Sequence, residues 1–403
     1  MHAITIVAQI LRTACPHIHQ SRLRALLDGA RAGLRASSHT LSNLARALAG
    51  NAAMRHRVKR MDRLLGNRAL HREIASVYAA MLRQALHGNA APLIVVDWSD
   101  LNKSRGAQLI RASLALKGRS LTLYEEVHSM KAATTPAVHK AFLAQIKAML
   151  PTGCQPIIIT DAGFRSPWFR AVEAIGWHWI GRSRNRDLVR AHGSGSALVE
   201  PPWVGCKSLY ANACSRALDL GLFDCVRNHP HVHRLVLVKR AAMQRRMKTV
   251  SGQRCRSTHS KKQASAQTEP WLLGVSVSLA HLSAQAVVNV YAQRMQIEQA
   301  FRDTKSARFG LGFEHSRSRT IERLAVLALI ASLVAFVLHL IGQCAINLSL
   351  QYALQLTNRK TRAEISVIRI GQLLLQTDQA SFTHSQLREV WQAWPQPHPA
   401  LQI

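Results

Sequence analysis

The stretch PLIVVDWSD, residues 92 to 100, decides the fold of this chain. Its first five residues are apolar, residues 94 to 96 are β-branched, and acids follow at Asp97 and Asp100. A short apolar run without alternation is typical of a strand that is covered on both faces. The stretch therefore predicts a central strand of an α/β sheet that ends in acid.

The segments after this strand continue the α/β pattern. AQLIRASLAL (107–116) and SLTLYEEV (120–127) flank Lys117-Gly118-Arg119 and predict an antiparallel hairpin. Further elements are predicted as a helix at about 136–150, a buried strand at 156–160, a short helix at 167–175 and a strand at WHWIGR (177–182). Strand, hairpin, helix, strand, helix, strand is the order of a ribonuclease-H-like core with a mixed sheet.

The N-terminal region, residues 1–88, is predicted to be helical. Thr40 or Ser42 can cap a helix through Leu48, and a second helix is expected from about Ala52 to Leu65. Two helices joined by a short glycine-containing turn match the helix-turn-helix pattern, in which the second helix contacts DNA. The candidate contacts on that helix are Arg57, Lys59 and Arg60. A basic face that is merely solvated is the alternative.

The remaining segments complete the fold class. Residues 183–282 are predicted to form a β-rich insertion, in which 239–262 hold nine Lys or Arg and no acid. The region 319–403 is predicted to be helical, and its apolar run from Leu324 to Leu338 favours a buried core helix over a membrane span. The predicted domains are 1–88, helical and DNA-binding; 89–182 with 283–318, the α/β catalytic core; 183–282, the insertion; and 319–403, helical.

The charge of the chain points to a polyanionic partner. Its 53 Lys and Arg residues face only 21 Asp and Glu residues, which gives a net charge of +32. Such self-repulsion is best tolerated by a protein that binds nucleic acid, with an anionic membrane as the second possibility. Seven scattered cysteines without a CxxC pair, and no recognisable signal peptide, favour a reducing, cytoplasmic location.

A predicted helix from Ser283 to Ser306 (SAQAVVNVYAQRMQIEQAFRDTKS) gathers polar side chains on one face. At about 100° per residue, its four polar residues fall within an arc of about 60°, flanked by Arg302. The four are Tyr291, Arg294, Glu298 and Lys305. Taken alone, this pattern is more typical of a solvated charged face.

Three carboxylates change that interpretation. Asp97 and Asp161 each follow a buried apolar run, and Glu298 lies on the polar face of the helix. If the two strands are neighbours, the acids converge, and an all-oxygen ligand set suits Mg²⁺ or Mn²⁺. Two such ions promote in-line phosphoryl transfer. We find no Walker loop and no dinucleotide glycine motif, so no nucleotide cofactor is expected.

Two weaker metal-site candidates are considered. Asp100, Glu125 and Glu126 are near the same core and offer a supporting carboxylate. HPHVH, residues 229 to 233, has alternating histidines, but a loop leading into a strand is the better interpretation.

These residues resemble a known family. Asp97, Asp161 and Glu298 are similar to the catalytic acids of DDE transposases. The spacing of Tyr291, Arg294, Glu298 and Lys305 is similar to the YREK signature of one group of bacterial insertion-sequence transposases. VDWSD, RMDRLLGNR, DAGF and GLGFEHSRS also resemble a cut-and-paste transposase of this group.

The resemblance implies a mechanism and partners. It implies two divalent ions, Mg²⁺ or Mn²⁺, and a homodimer that holds two transposon ends and the target DNA. End nicking, hairpin formation, hairpin opening and strand transfer would follow without a covalent protein intermediate. Tyr291, Arg294 and Lys305 match phosphate-contacting positions, Arg302 lies beside them, and Trp271 matches a tryptophan that supports the hairpin step. A nuclease that does not join DNA, or a non-catalytic end-binding relative, is the alternative.

Overall fold

A computed structural model provides the structure of the chain. It describes residues 2–101, 106–116, 118–184, 187–193, 201–241, 269–308, 310–358, 364–377 and 381–393. These residues form two compact units. The first comprises the chain up to Pro156 together with the described residues from Met295 onward, and the second runs from Ile157 to Arg294. Of the basic segment predicted at 239–262, residues 242–262 lie outside the described residues.

The first unit begins with five amphipathic helices, which confirms the predicted helical N-terminal region. They are α1 (His2–Ala14), α2 (Gln20–Arg35), α3 (Leu41–Ala47), α4 (Met54–Leu65) and α5 (Arg68–Ala85). Thr40 caps α3, because its hydroxyl accepts the backbone N–H of Asn43 at 3.3 Å. Gly50 in the α3–α4 turn has φ 108°, a conformation that favours glycine. The predicted helix-turn-helix segment therefore exists as two helices with the expected bounds to within two residues.

Three antiparallel strands follow in the first unit, with β2 between the other two. They are β1 (Leu93–Asp100), β2 (Ala107–Ala115) and β3 (Ser120–Ser129), and α6 (Pro136–Met149) comes next. The predicted hairpin is confirmed. Asp97 pairs with Arg111 in the β1–β2 register and lies inside β1, not at its end. The strand instead becomes more exposed at Asp97, since residues 93–96 are buried and residues 97–100 are half-buried.

A buried ion pair connects the hairpin to the helices. Arg111 Nε donates to Glu125 Oε2 at 2.6 Å, and the side chains of both are only 1% exposed. The second carboxylate oxygen of Glu125 accepts the hydroxyls of Tyr78 and Ser332, each at 2.8 Å. Thus Glu125, which the sequence offered as a supporting group of the metal site, belongs instead to the core of the first unit.

The C-terminal part of the first unit is helical, as predicted. Its helices are α9 (Met295–Lys305), α10 (Ile321–Asn347), α11 (Val367–Thr377) and α12 (His384–Gln392). In the described part of the chain, α10 is the one helix long and apolar enough to cross a membrane. However, 83% of its most apolar window is buried inside the protein, as expected of a core helix. A Cβ at Gly342 would lie 1.9 Å from the carbonyl oxygen of Val367, so glycine permits the close α10–α11 contact.

The second unit is a sheet with few helices. Its elements are β4 (Ile157–Thr160), α7 (Ser166–Ala174), β5 (His178–Ser183), β6 (Leu188–Ala191), β7 (Val204–Gly205), β8 (Leu218–Cys225), β9 (His231–Val238), β10 (Trp271–Val275) and α8 (Ala284–Ala292). β4 and β5 are parallel, and β10 pairs with both β5 and β9 in antiparallel fashion. The strands of the predicted β-rich insertion thus extend the sheet of β4 and β5. WLLGVSVSL is a strand only as far as Val275, and Val277–Leu279 form a 3-10 turn.

The single helix predicted over residues 283–306 is wrong. α8 ends at Ala292 and α9 begins at Met295. In the turn between them, the N–H of Gln293 bonds to Val290 O and that of Arg294 to Tyr291 O, three residues back. Neither proline nor glycine marks this turn in the sequence. The angular argument that placed Tyr291 and Arg294 on one face with Glu298 and Lys305 therefore does not hold, because the helical phase is interrupted.

Arg111→Met should destabilise the first unit by about 3–5 kcal/mol, since the Glu125 carboxylate would remain buried without its cation. Urea unfolding measures the loss. The control is Arg323→Met, which removes the more exposed pair with Asp62 and should cost less than about 1 kcal/mol. Equal losses in the two variants would contradict a special role of the buried pair.

Stability should fall as the pH drops below about 6.5. Burial lowers the pKa of His39 to about 4 and that of His339 to about 3, whereas an unfolded histidine has a pKa near 6.5. Between these values the unfolded chain binds more protons, so acid favours unfolding, by about 2–3 kcal/mol per histidine at pH 4.5. Urea midpoints from pH 7.5 to 4.5 test this. His339→Met should give a shallower decline, and an unchanged slope would refute the assignment.

Candidate active site

A cleft of about 430 Å³ in the first unit gathers four of the charged residues that the sequence singled out, namely Asp97, Glu298, Arg302 and Lys305. It lies where β1 meets α9. The residues that line it are Asp97, Trp98, Ser99, Glu298, Phe301, Arg302, Lys305, Ser306 and Glu314. Acidic and basic side chains therefore share one open site, which suits a ligand that carries both metal ions and phosphates.

Asp97 reaches the cleft from a rigid strand. Its neighbours Val96 and Trp98 pair with Ala112 and Ile110 of β2, so the backbone on both sides belongs to the sheet. Its Oδ1 accepts the backbone N–H of Trp98 at 2.8 Å, which fixes the carboxylate rotamer. The half-buried carboxylate is thus held where the buried part of the strand ends.

Glu298 lies in the first turn of α9 and is exposed. Arg302 follows one turn later and is exposed as well. The structure therefore brings Asp97 and Glu298, which are far apart in the sequence, to one cleft with Arg302.

Lys305, at the end of α9, is bound to β1. Its ammonium donates to Ser99 Oγ at 2.7 Å and to the carbonyl of Asp100 at 3.2 Å. It also lies 5.8 Å from the centre of the Phe301 ring. Burial lowers the pKa of Lys305, and the carboxylate of Asp100 acts in the opposite direction. Lys305 consequently links the helix to the strand. The sequence analysis predicted only a phosphate contact for this residue and not this structural role.

Asp161 belongs to the second unit. It directly follows β4, as predicted, and is half-buried. Its Oδ1 accepts the N–H of Gly163 at 2.8 Å, which forms a tight turn after the strand. The convergence of Asp161 with Asp97 and Glu298 stays a prediction.

The donor set of the cleft fits a hard divalent cation in part. Asp97 and Glu298 offer carboxylate oxygens, and none of the described lining residues is His or Cys. Throughout the described ranges, however, no group of three or more His, Cys, Asp or Glu side chains is arranged so that it could hold a metal ion. The two carboxylates alone therefore do not complete a metal site, and a bound cation would require a further ligand.

The aromatic residues that the resemblance singled out meet in the second unit. The rings of Trp271 and Tyr291 pack edge to face with their centres 5.0 Å apart. Arg240 lies over the Trp271 ring, 4.8 Å from its centre. Trp271 is half-buried, but Tyr291 is only 3% exposed. Tyr291 therefore supports Trp271 by packing. Because Tyr291 is buried, the predicted phosphate contact would have to be made by its hydroxyl group. Arg294 is half-buried in the turn after α8.

The basic residues of α4 differ in their contacts and exposure. The guanidinium of Arg57 donates to the carbonyls of Ala52 at 2.9 Å and of Gly50, both in the turn before the helix. Arg60 reaches Asp28 at 3.4 Å, whereas Lys59 is simply exposed. Arg57 thus stabilises the α3–α4 turn, and Lys59 is the best presented of the three for a DNA phosphate.

The histidines of HPHVH form a hydrogen-bonded chain. His231 contacts Glu173 through Nε2 at 2.7 Å and His233 through Nδ1 at 2.9 Å. Burial lowers the pKa of His233 to about 3. Since β9 begins at His231, the interpretation of a loop leading into a strand is confirmed for this segment.

Sequence reasoning missed the residues that hold α9. Ser99 binds Lys305, Arg119 binds Asp303, and Gln296 binds Leu116. An arginine inside the apolar run AQLIRASLAL, facing the acids of YEEV, was the available signal for the related Arg111–Glu125 pair. No comparable pattern marks Ser99 or Gln296.

Comparison with known proteins identifies the family. The transposase DDE domain matches residues 88–337, which is more than half of the chain. No curated protein sequence matches. Among solved structures, the piggyBac transposase synaptic complex with hairpin DNA is similar, with 11% identity over 97% of this chain and 81% of that chain. Its TM-score is 0.42, a level of likeness that carries no conclusion.

Enzymes with a DDE domain generally use divalent metal ions for phosphoryl transfer. The cleft that presents Asp97 and Glu298 lies within the matched region. The chain belongs to the DDE-domain transposases and is an enzyme of DNA transposition.

Proposed function

We propose that this chain moves an insertion sequence by cut-and-paste transposition. The observation that carries the proposal is the shared cleft of Asp97 and Glu298, with Arg302 and Lys305 beside them. In this proposal Asp161 completes the carboxylate triad, and the triad holds two Mg²⁺ ions, for which Mn²⁺ can substitute. The catalytic core is ribonuclease-H-like, and the enzyme acts in the bacterial cytoplasm at the nucleoid.

The cleft residues have distinct roles. Bound divalent ions would supply the positive charge that activates an attacking oxygen and stabilises a leaving oxygen. Asp97 would hold its ligand position through the sheet and the Trp98 N–H, and Glu298 through the first turn of α9. Arg302 is exposed at the cleft and offers a cation to a phosphodiester of the transposon end.

The proposed reaction is a series of phosphoryl transfers. Water cleaves one strand at the end of the element, leaving a 3′-OH on the element. That hydroxyl attacks the opposite strand, so a P–O bond forms in the hairpin as the flanking P–O bond breaks. A second water opens the hairpin, and the regenerated 3′-OH attacks target DNA. In each step one P–O bond to the attacking oxygen forms and one P–O bond to the leaving oxygen breaks. No oxidant is therefore required.

The partners follow from the same reaction. Two transposon ends and a target must be held together, which we assign to a homodimer in a synaptic complex. The net charge of +32 matches such a large polyanion. Hairpin formation bends DNA sharply, and a displaced base would relieve the strain. Trp271, which packs edge to face with Tyr291 and lies under Arg240, is our candidate for stacking that base.

Asp97→Asn should abolish nicking without preventing DNA binding. Removing a carboxylate ligand costs several kcal/mol of transition-state stabilisation, or about 10³-fold or more in rate. The assay incubates the protein with Mg²⁺ and a duplex carrying the terminal repeats that flank its own reading frame. Denaturing gels score nick, hairpin and joined products, and gel shift in EDTA scores binding.

A matched control is Asp100→Asn, three residues along the same strand. The Asp100 carboxylate accepts a hydrogen bond from Gln108 and does not line the cleft. This variant removes the same charge and should retain nicking. Full nicking by Asp97→Asn would remove Asp97 from the active site. Supplying a precut end with a 3′-OH then tests the nuclease alternative, which predicts no joined product, and the end-binding alternative, which predicts no reaction at all.

Lys305 is expected to act on DNA as well as on Ser99. Lys305→Ala should weaken the end complex and reduce the slope of log K against log salt concentration by about 1, as expected for one lost phosphate contact. Ser99→Ala serves as the control, because it removes the hydrogen bond at 2.7 Å and leaves the charge. Identical slopes in the two variants would assign Lys305 to the strand–helix link alone.

A further inference from the structure

Three side-chain contacts made through hydrogen bonds attach α9 to the β2–β3 hairpin. Near the end of the helix, Arg119 donates to Asp303 at 2.7 Å, and Arg111 donates to the Thr304 hydroxyl at 3.3 Å. In the first turn of the helix, Gln296 binds Leu116, the residue just after β2. The hairpin therefore holds α9 near both of its ends.

The Gln296 contact is a paired hydrogen bond to a single peptide residue. The N–H of Leu116 donates to Oε1 at 3.0 Å, and Nε2 donates back to the Leu116 carbonyl at 2.5 Å. Gln296 is only 7% exposed. A buried amide with both donor and acceptor engaged has one orientation, since a flip would oppose like atoms. The contact therefore fixes both the side chain and the backbone of the first turn.

We propose that Gln296 is a positioning residue that sets the placement of Glu298 for metal binding. This inference rests on the proposed function, in which Glu298 is a metal ligand. Gln296 precedes Glu298 by two residues, while the other two contacts attach to residues 303 and 304, at the far end of the helix. The turn at residues 293–294 interrupts the helix before Met295, so α8 does not continue regularly into α9. The hairpin, through Gln296, constrains the end of α9 that carries the carboxylate.

Glutamine suits this position for a chemical reason. Glutamate would oppose a carboxylate oxygen to the Leu116 carbonyl in a buried site, and asparagine is one methylene shorter. Methionine keeps the length and the apolar contacts but makes neither hydrogen bond. Gln296→Met therefore releases the first turn of α9 with little change in volume.

The experiment compares Gln296→Met with Gln299→Met, a half-buried glutamine on the same helix. Each protein is bound to a precut element end and titrated with Mn²⁺, and bound ion is measured by electron paramagnetic resonance. Loss of support for a metal ligand typically reduces metal affinity or activity by about 10- to 100-fold. We expect such a fall in Mn²⁺ affinity, and a matching rise in the Mg²⁺ concentration for half-maximal nicking, for Gln296→Met only. End binding in EDTA should be unchanged in both variants.

Glu298→Gln separates the failure of this inference from that of the proposed function. If Glu298→Gln binds Mn²⁺ and nicks normally, the metal site of the proposed function is wrong, because Glu298 is then not a ligand. If Glu298→Gln is inactive while Gln296→Met binds Mn²⁺ as Gln299→Met does, only the positioning role is overturned. A Gln296→Met protein that loses end binding in EDTA would also overturn it, since a general packing defect would then explain the result.

Discussion

The buried ion pair between Arg111 and Glu125 is the constraint on which the first unit depends. Two charges at 1% side-chain exposure are costly unless each finds full hydrogen bonding. Glu125 meets this demand with Tyr78 of α5 and Ser332 of α10, and Arg111 meets it with Thr304 of α9. The charges therefore require a particular arrangement of hairpin and helices, which apolar packing alone would specify less sharply.

The same requirement connects the core to the candidate active-site cleft. Arg111 pairs with Asp97 in the sheet register and lies 4.7 Å from the centre of the Phe301 ring on α9. One residue of β2 thus neighbours the strand that carries the first carboxylate and the helix that carries Glu298. Because interiors are close-packed, α9 cannot shift without disturbing this arginine. Rigidity at the cleft is consequently a property of the core beneath it.

Sequence patterns predicted the helices and strands better than they predicted the junctions between them. Apolar runs and turn residues located the hairpin and the N-terminal helices, because each has a strong local cause. The break before Met295 has no proline or glycine, and the backbone N–H groups of Gln293 and Arg294 bond to carbonyls three residues back. The burial of Tyr291 and the use of Arg57 within a turn also depend on tertiary neighbours. Spacing along a helix could not reveal either one.

The small number of acidic residues in this chain makes the two carboxylates at the cleft informative. With 53 basic and 21 acidic residues, an acid in this chain is readily neutralised by an arginine. The buried acids Glu125, Asp303 and Asp224 follow this pattern and pair with Arg111, Arg119 and Arg190. Asp97 is half-buried and Glu298 is exposed, and both line an open cleft that solvent and ligands reach. Carboxylates at such a place, in so basic a protein, suit a cation that arrives together with DNA.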